Sequence, residues 1–120
     1  IRLWVESGAR GPLCVVRAIE GLKVGKSPAW LRWRLQAVGQ RAISNLVDVT
    51  NYIMFELGQP LHSFDLHKVA GGKVGVALAK EGEKLVTLDG QERILTGRDI
   101  TIRAAEKAIG LGGVMGGLNG

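Results

Sequence analysis

The spacing of hydrophobic positions changes character twice along this chain. In "CVVRAIEGLKV", residues 14–24, apolar and β-branched side chains dominate through Val15, Val16 and Ile19, and Gly21 offers a stop, which predicts a strand. In "SPAWLRWRLQAVG", residues 27–39, the spacing turns helical. Leu31, Leu35 and Val38 make one row, Trp30, Trp33 and Ala37 the adjoining row, and Arg32 and Gln36 point elsewhere. Ser27 is placed to cap this helix, Pro28 brings a preset φ where its missing N–H costs nothing, and Gly39 can take a left-handed exit. The two tryptophans, three apart beside aliphatic rows, are expected in the core; the competing reading is a platform on which bases stack.

A second helix is predicted from about Asn45 to Glu56, capped by Ser44 or Asn45 and ended by Gly58 and Pro60. Leu46, Ile53 and Leu57 share a face that includes Thr50, and Asn51 lies to one side, near Val47 and Met54. Thr and Asn are indifferent helix formers, so a polar pair inside an apolar run has a cost that something should offset. Asp65 can then cap a further short turn, after which the spacing switches to period two. "KVGVALA" reads as a strand, "EKLVTLDGQERIL" as a hairpin turning on Asp89-Gly90, and "DITIRAA" as another strand. Strand, two helices and several antiparallel strands make an α+β layout, a mixed or antiparallel sheet with flanking helices.

Composition narrows this picture. The 120 residues suffice for one domain, and 46% apolar with 22% charged residues is globular usage. No apolar run nears the ~20 residues that span a bilayer, so a soluble chain with no membrane partner is expected. The opening "IRLWVESGARGPL" lacks a secretory layout and a starting methionine, so residues 1–13 are expected to be a lead-in or linker from something longer. A lone cysteine, Cys14, excludes an internal disulfide, fits a cytoplasmic location and is expected to act as a small core hydrophobe.

Charge is uneven. Residues 1–44 hold eight Lys or Arg against two acids, whereas residues 45–120 hold eight against nine. A basic front half suits a polyanion partner. Six glycines in the eleven residues from Gly110 invite a phosphate-loop reading, but no Lys-Ser/Thr pair follows and no helix is predicted after them.

Two histidines carry the candidate acid–base chemistry. Read alone, His62 is a loop residue bonded to nearby backbone, and Thr50 bonds its own i−4 carbonyl. His67 is expected at the surface. Neither histidine has a cysteine or second histidine at metal-ligand spacing, so no metal site is expected. Ser63 adjoins His62 without a strained elbow, which leaves an oriented water as the hydrolytic agent and no identified general base.

"SNLVDVTNYIMFELGQPLHSFDLHKVAGG", then "EGEKLVTLDGQE" and "GLGGVMGG", resembles the editing module of the beta subunit of bacterial phenylalanyl-tRNA synthetase. The upstream "VRAIEGLKVGKSPAWLRWRLQAVGQR" matches the start of that module in order and spacing. The resemblance implies an α+β fold and an enzyme whose module hydrolyses tyrosine wrongly attached to tRNA(Phe). It implies as partners tRNA(Phe) with its amino acid and the alpha subunit of a heterotetramer, with no DNA. ATP and Mg2+ would serve phenylalanine activation in that parent, and this segment would need no cofactor. In the family the module continues past the glycines, with a pocket glutamate and a Thr/Ala wall on that part. Residues 14–120 are therefore expected to be the front portion of a larger editing domain, inactive alone.

By resemblance, Thr50, Asn51 and His62 line the editing pocket. His62 would be catalytic, orienting the ester or the tRNA 3′ end, Thr50 and Asn51 would bind substrate, and Gly116 would let backbone approach it. Tyrosine is phenylalanine plus a hydroxyl, which an apolar synthetic pocket rejects by only about a hundredfold. A second pocket with polar groups reverses the preference. Two other readings remain: a non-catalytic scaffold or tRNA-docking piece using Lys23, Lys26, Arg32, Arg34 and Arg41, and a nucleotide-binding domain using the terminal glycines.

Overall fold

The computed structural model describes residues 2–6 and 14–118. They fall into two units, residues 19–63 and residues 1–18 with 64–120. Of the expected lead-in, residues 1 and 7–13 lie outside the described residues.

The helical unit holds α1 (Ala29–Ala37) and α2 (Asn45–Leu57). Leu31 and Leu35 of α1 are buried, as their shared row predicts. Ser44 caps α2, accepting a hydrogen bond from the Val47 amide, and Gly58 at φ 71° closes it with its N–H on the Met54 carbonyl. The most buried residue of α2 is nevertheless Asp48, 1% exposed. Its Oδ2 accepts from Ser27 Oγ at 2.5 Å and its Oδ1 from the Ile43 amide at 2.8 Å. Asn45 fastens the same approach. Its Oδ1 accepts from the Gly25 amide, its Nδ2 donates to the Lys23 carbonyl, and its own amide donates to the Gly25 carbonyl. Residues 23–27 and 43–48 are thus stitched together through side-chain amide and carboxyl groups, without a strand ladder.

The described residues of the sheet unit form seven strands. In chain order they are β1 (Arg2–Val5), β2 (Lys73–Leu78), β3 (Lys84–Val86), β4 (Glu92–Ile94), β5 (Ile100–Ala104), β6 (Lys107–Leu111) and β7 (Met115–Gly116). Five form one mixed sheet in the order β1-β2-β5-β6-β7, with β1 parallel to β2 and the other pairs antiparallel. The β3-β4 hairpin is a second small sheet, linked to β7 by a Thr87–Gly117 bridge. Val69, Val74, Ala104 and Ile109 form one core cluster, joined by Val16, Phe64 and Ile102. Ala79, Leu85, Leu95 and Ala108 form another. The expected α+β fold is present, with both helices and a mixed sheet.

Arg103, only 4% exposed, ties the small sheet to the large one. Its two terminal nitrogens donate to Glu83 Oε2 and Oε1 at 2.8 and 2.9 Å, and one also donates to the Glu106 carbonyl. A planar guanidinium matches a carboxylate with two parallel bonds, and burial strengthens the requirement that both partners be present.

Two glycines are fixed by close approach. A Cβ on Gly75 would lie 1.9 Å from the Trp4 ring, which therefore packs directly over β2. A Cβ on Gly117 would lie 2.9 Å from Leu85 Cδ1 and 3.0 Å from the Ile109 carbonyl oxygen, so the chain after β7 fits between β6 and the hairpin only without a side chain.

Several expectations are corrected. Residues 14–24 form no strand. Val16 packs on the core but Val15, Ile19 and Val24 are exposed, and β2 is already flanked by β1 and β5. The strand lies instead at Arg2–Val5, in the stretch read as lead-in. Ser27 does not cap α1, because its hydroxyl serves Asp48; the Pro28 carbonyl accepts from the Leu31 and Arg32 amides. Trp30 and Trp33 lie outside the core, 53% and 68% exposed, and Val38 is exposed as well. Cys14 is half-buried. The hairpin loop contains Leu88, Asp89 and Gly90, closed by the Thr87 amide on the Gln91 carbonyl, one residue longer than the predicted turn. Of the terminal glycines, Gly110, Gly112, Gly113 and Gly116 belong to the β6-β7 hairpin, where backbone pairs with backbone, and Gly120 lies outside the described residues.

Two stability predictions follow from the buried polar pairs. Asp48→Ala leaves the Ser27 hydroxyl and the Ile43 amide without acceptors and should cost about 1–3 kcal/mol in urea unfolding, more than Ser27→Ala. The hydrogen bond from Arg103 is the main cause holding the Glu83 carboxyl below its ordinary 4.5. Its contribution is present above 4.5 and fades as pH falls through the depressed folded value. Glu83→Gln should therefore lose stability at pH 7 and show a shallower further loss on acidification than the parent.

Candidate functional site

Thr50 and Asn51 sit on α2, and His62 on the loop that follows it, all within the helical unit. Gly116 is buried in β7 of the sheet unit, paired with Gly110 and accepting at its carbonyl from the Leu88 amide.

Thr50 is half-buried, and its hydroxyl donates to the Val47 carbonyl at 2.8 Å, an i−3 bond where i−4 was expected. That bond uses the only donor and leaves the oxygen able to accept. The Asn51 amide has no hydrogen-bond partner among the described residues. A half-buried amide carries two donors and an acceptor, so it can meet a hydroxyl in either sense. Successive helix residues point about 100° apart, so Thr50 and Asn51 look in different directions from one turn.

His62 is exposed overall, yet lost hydration lowers its pKa from the ordinary 6.5. Burial disfavours the imidazolium, so the ring is neutral at pH 7, with one nitrogen to donate and one to accept. His67 is exposed, as expected, and its backbone amide donates to Asp65 Oδ1, which makes the turn after α2. No group of three or more His, Cys, Asp or Glu is placed to hold a metal among the described residues. No helix there is long and apolar enough to cross a membrane.

One feature of the helical unit was not anticipated from the sequence. Trp30 and Tyr52 pack edge to face, 5.7 Å between ring centroids at 90°. The Arg34 guanidinium carbon lies 5.9 Å from each ring centroid, and its Nη1 donates to the Tyr52 hydroxyl at 2.8 Å. That hydroxyl donates in turn to Glu56 Oε1 at 3.3 Å. Beside them opens a shallow groove of about 320 Å³ floored by Leu35, Ala37, Val38 and Phe55. The i, i+4 spacing of Tyr52 and Glu56 was visible in sequence; their convergence with Trp30 and Arg34 depends on how α1 crosses α2.

These features define an α+β domain of two units, a helical hairpin bearing polar and aromatic groups and a glycine-laced mixed sheet. Comparison with known proteins agrees: the model of the B3/4 domain matches residues 11–120, and the chain belongs to the B3/4 domain family. It is 57% identical over 117 residues to the phenylalanine–tRNA ligase beta subunit of Nitratidesulfovibrio vulgaris, covering 98% of this chain and 15% of that protein. Against the same subunit of Geobacter metallireducens it is 54% identical over 115 residues, covering 96% and 14%. With that of Bacillus cereus it shares 48% over 117 residues, covering 98% and 14%. The chain thus spans about 15% of the length of these relatives.

The depressed His62 pKa gives a direct check. In an NMR pH titration its ring resonances should move with a midpoint below 6.5, and a midpoint at or above 6.5 would show that burial does not control this ring. Because the unfolded chain takes up that proton first, stability should fall as pH drops from 6.5 through the folded midpoint.

Proposed function

We propose that this chain is the front portion of a proofreading module in the beta subunit of a phenylalanine–tRNA ligase, and that the module hydrolyses tyrosine mischarged onto tRNA(Phe). The observation that carries the reading is the Asn51 amide, which has no hydrogen-bond partner among the described residues, on a helix from a family whose relatives bear that enzyme's name. A phenolic hydroxyl is both donor and acceptor, and the Asn51 amide offers both complements. Phenylalanine would leave the amide without its partner, a cost of about 1–3 kcal/mol that favours tyrosine.

His62, neutral at pH 7, orients the ester or the tRNA 3′ end in this reading, directly or through water. Its lowered pKa suits a group that must accept as well as donate. No step requires a cofactor from this chain. ATP and Mg2+ belong to phenylalanine activation in the whole enzyme, with the alpha subunit as partner. The cytoplasm is the compartment where such an enzyme works.

A second reading has its own observation. Lys23, Lys26, Arg34 and Arg41 are exposed in the helical unit, as a non-catalytic tRNA-docking piece would require, and Arg32 is half-buried. Steep salt dependence of tRNA binding that is indifferent to His62 would favour that reading.

The test is deacylation of Tyr-tRNA(Phe) by a complete synthetase carrying this segment. His62→Ala and Asn51→Ala should each slow tyrosine release, by about tenfold or more for His62, while phenylalanine attachment, measured alongside, continues. Equal deacylation by variant and parent would remove His62 from the mechanism. The 120-residue chain alone is expected to release little or no tyrosine, since an incomplete pocket cannot position an ester.

A further inference from the structure

We propose that the strip formed by Trp30, Trp33, Arg34 and Tyr52 is a stacking platform for unpaired bases of single-stranded RNA. It rests on the reading that this chain meets RNA, and is independent of whether the module hydrolyses an ester.

Helical spacing puts Trp30, Trp33 and Arg34 on one face of α1, away from the buried Leu31 and Leu35, and α2 sets Tyr52 against Trp30. Indole rings this exposed lose the burial that ordinarily justifies them. Trp30 at least packs its edge on Tyr52; Trp33 makes no ring contact among the described residues and leaves 68% of its surface open. Arg34 is held against two rings by its bond to the Tyr52 hydroxyl, with no carboxylate in ion-pair reach among the described residues. A rigid cation beside exposed π-faces is the arrangement that single-strand binders use. Bases stack on the rings whatever their sequence, and the backbone phosphate supplies the counter-charge.

Charge selects RNA over a protein occupant. The helical unit has five Lys or Arg against three acids, and one of those acids, Asp48, is buried and engaged. A protein partner covering the strip would have to desolvate Arg34 or bring its own carboxylate, whereas a nucleic acid brings a phosphate with every base. Glu56 sets the direction. Its carboxylate, on the Tyr52 hydroxyl at the edge of the groove, repels phosphate, so the backbone runs along the Trp33 side.

The test is a titration of the protein with a single-stranded adenylate octamer, followed by tryptophan emission, with Trp30 and Trp4 as the remaining reporters when Trp33 is replaced. Quenching at saturation is expected. Trp33→Ala should weaken binding about five- to a hundredfold, the range for loss of one base–aromatic stack. Trp33→Phe should retain most of the affinity, and Glu56→Gln should tighten it. A far-UV circular dichroism spectrum unchanged from the parent confirms that each variant folds, and the quench in the unmodified protein reads the same contact without substitution. Emission that does not move at saturation, equal binding by Trp33→Ala and parent, or equal affinity for a duplex of the same length would overturn the proposal. So would self-association in sedimentation that shields the tryptophans with or without the octamer, because the strip would then be a protein interface. No aminoacyl ester enters the measurement, so its failure leaves the proofreading reading standing, and failed editing leaves this one standing.

Discussion

Polar groups taken out of water need partners, and apart from the buried Arg32 Nε, which has none among the described residues, that requirement shapes both units of this chain. In the helical unit the buried residue of α2 is the Asp48 carboxyl, and two donors, from Ser27 and Ile43, converge on it. Removing those donors would leave an acceptor whose desolvation nothing repays. The entry to α1 is therefore obliged to lie against the N-terminus of α2, and Asn45 repeats the constraint one turn earlier. Leu31 and Leu35 fill the interior that this stitching encloses. In the sheet unit the same rule acts through Arg103, whose bidentate pair with Glu83 holds the hairpin against β5. Apolar burial supplies the driving force in each unit, but these pairs fix which surfaces meet.

This explains what the sequence disclosed and what it withheld. The two helices and the strands at 73–78, 84–86, 92–94 and 100–104 were readable because local spacing and their end signals agree with their final packing. The segment 14–24 was misread because β-branched residues describe what suits a pleated surface, and a strand also needs a free neighbour. Both sides of β2 were taken, one of them by Arg2–Val5, and pairing across some seventy residues leaves no local mark. Ser27 carried a correct polarity signal with the wrong partner. A capping serine and a serine serving a distant carboxyl look alike until α2 is placed. The tryptophans failed for the opposite reason, since apolar area predicts burial only when another surface exists to receive it.

The candidate site shows the same division. Thr50 and Asn51 were singled out because they are poor choices for a helix, and the structure gives the pair unequal positions. Thr50 recovers part of its cost through its bond to Val47, whereas Asn51 recovers none within the described residues. A residue that neither favours its helix nor serves its fold is better explained by something outside the fold. His62 adds a ring whose neutral form is favoured by lost hydration, on a loop that Gly58 lets leave the helix at once.

Recognition of a hydroxyl and tolerance of many bases call for different surfaces, and the two proposals assign both to the helical unit. The former needs a few directional groups whose loss is costly, as with Asn51 and Thr50. The latter needs flat polarisable rings and a diffuse positive field, as with Trp33 and Arg34. A binding module for an amino acid alone gives no reason for an indole that is two-thirds exposed in this chain, beside a guanidinium with no carboxylate partner among the described residues. A module that must hold the nucleic acid while inspecting what it carries has reason for both. In the proposed reading, affinity spread over sequence-tolerant stacking would bring such an RNA to the site and leave the discrimination to the few polar atoms that can tell one hydroxyl from none.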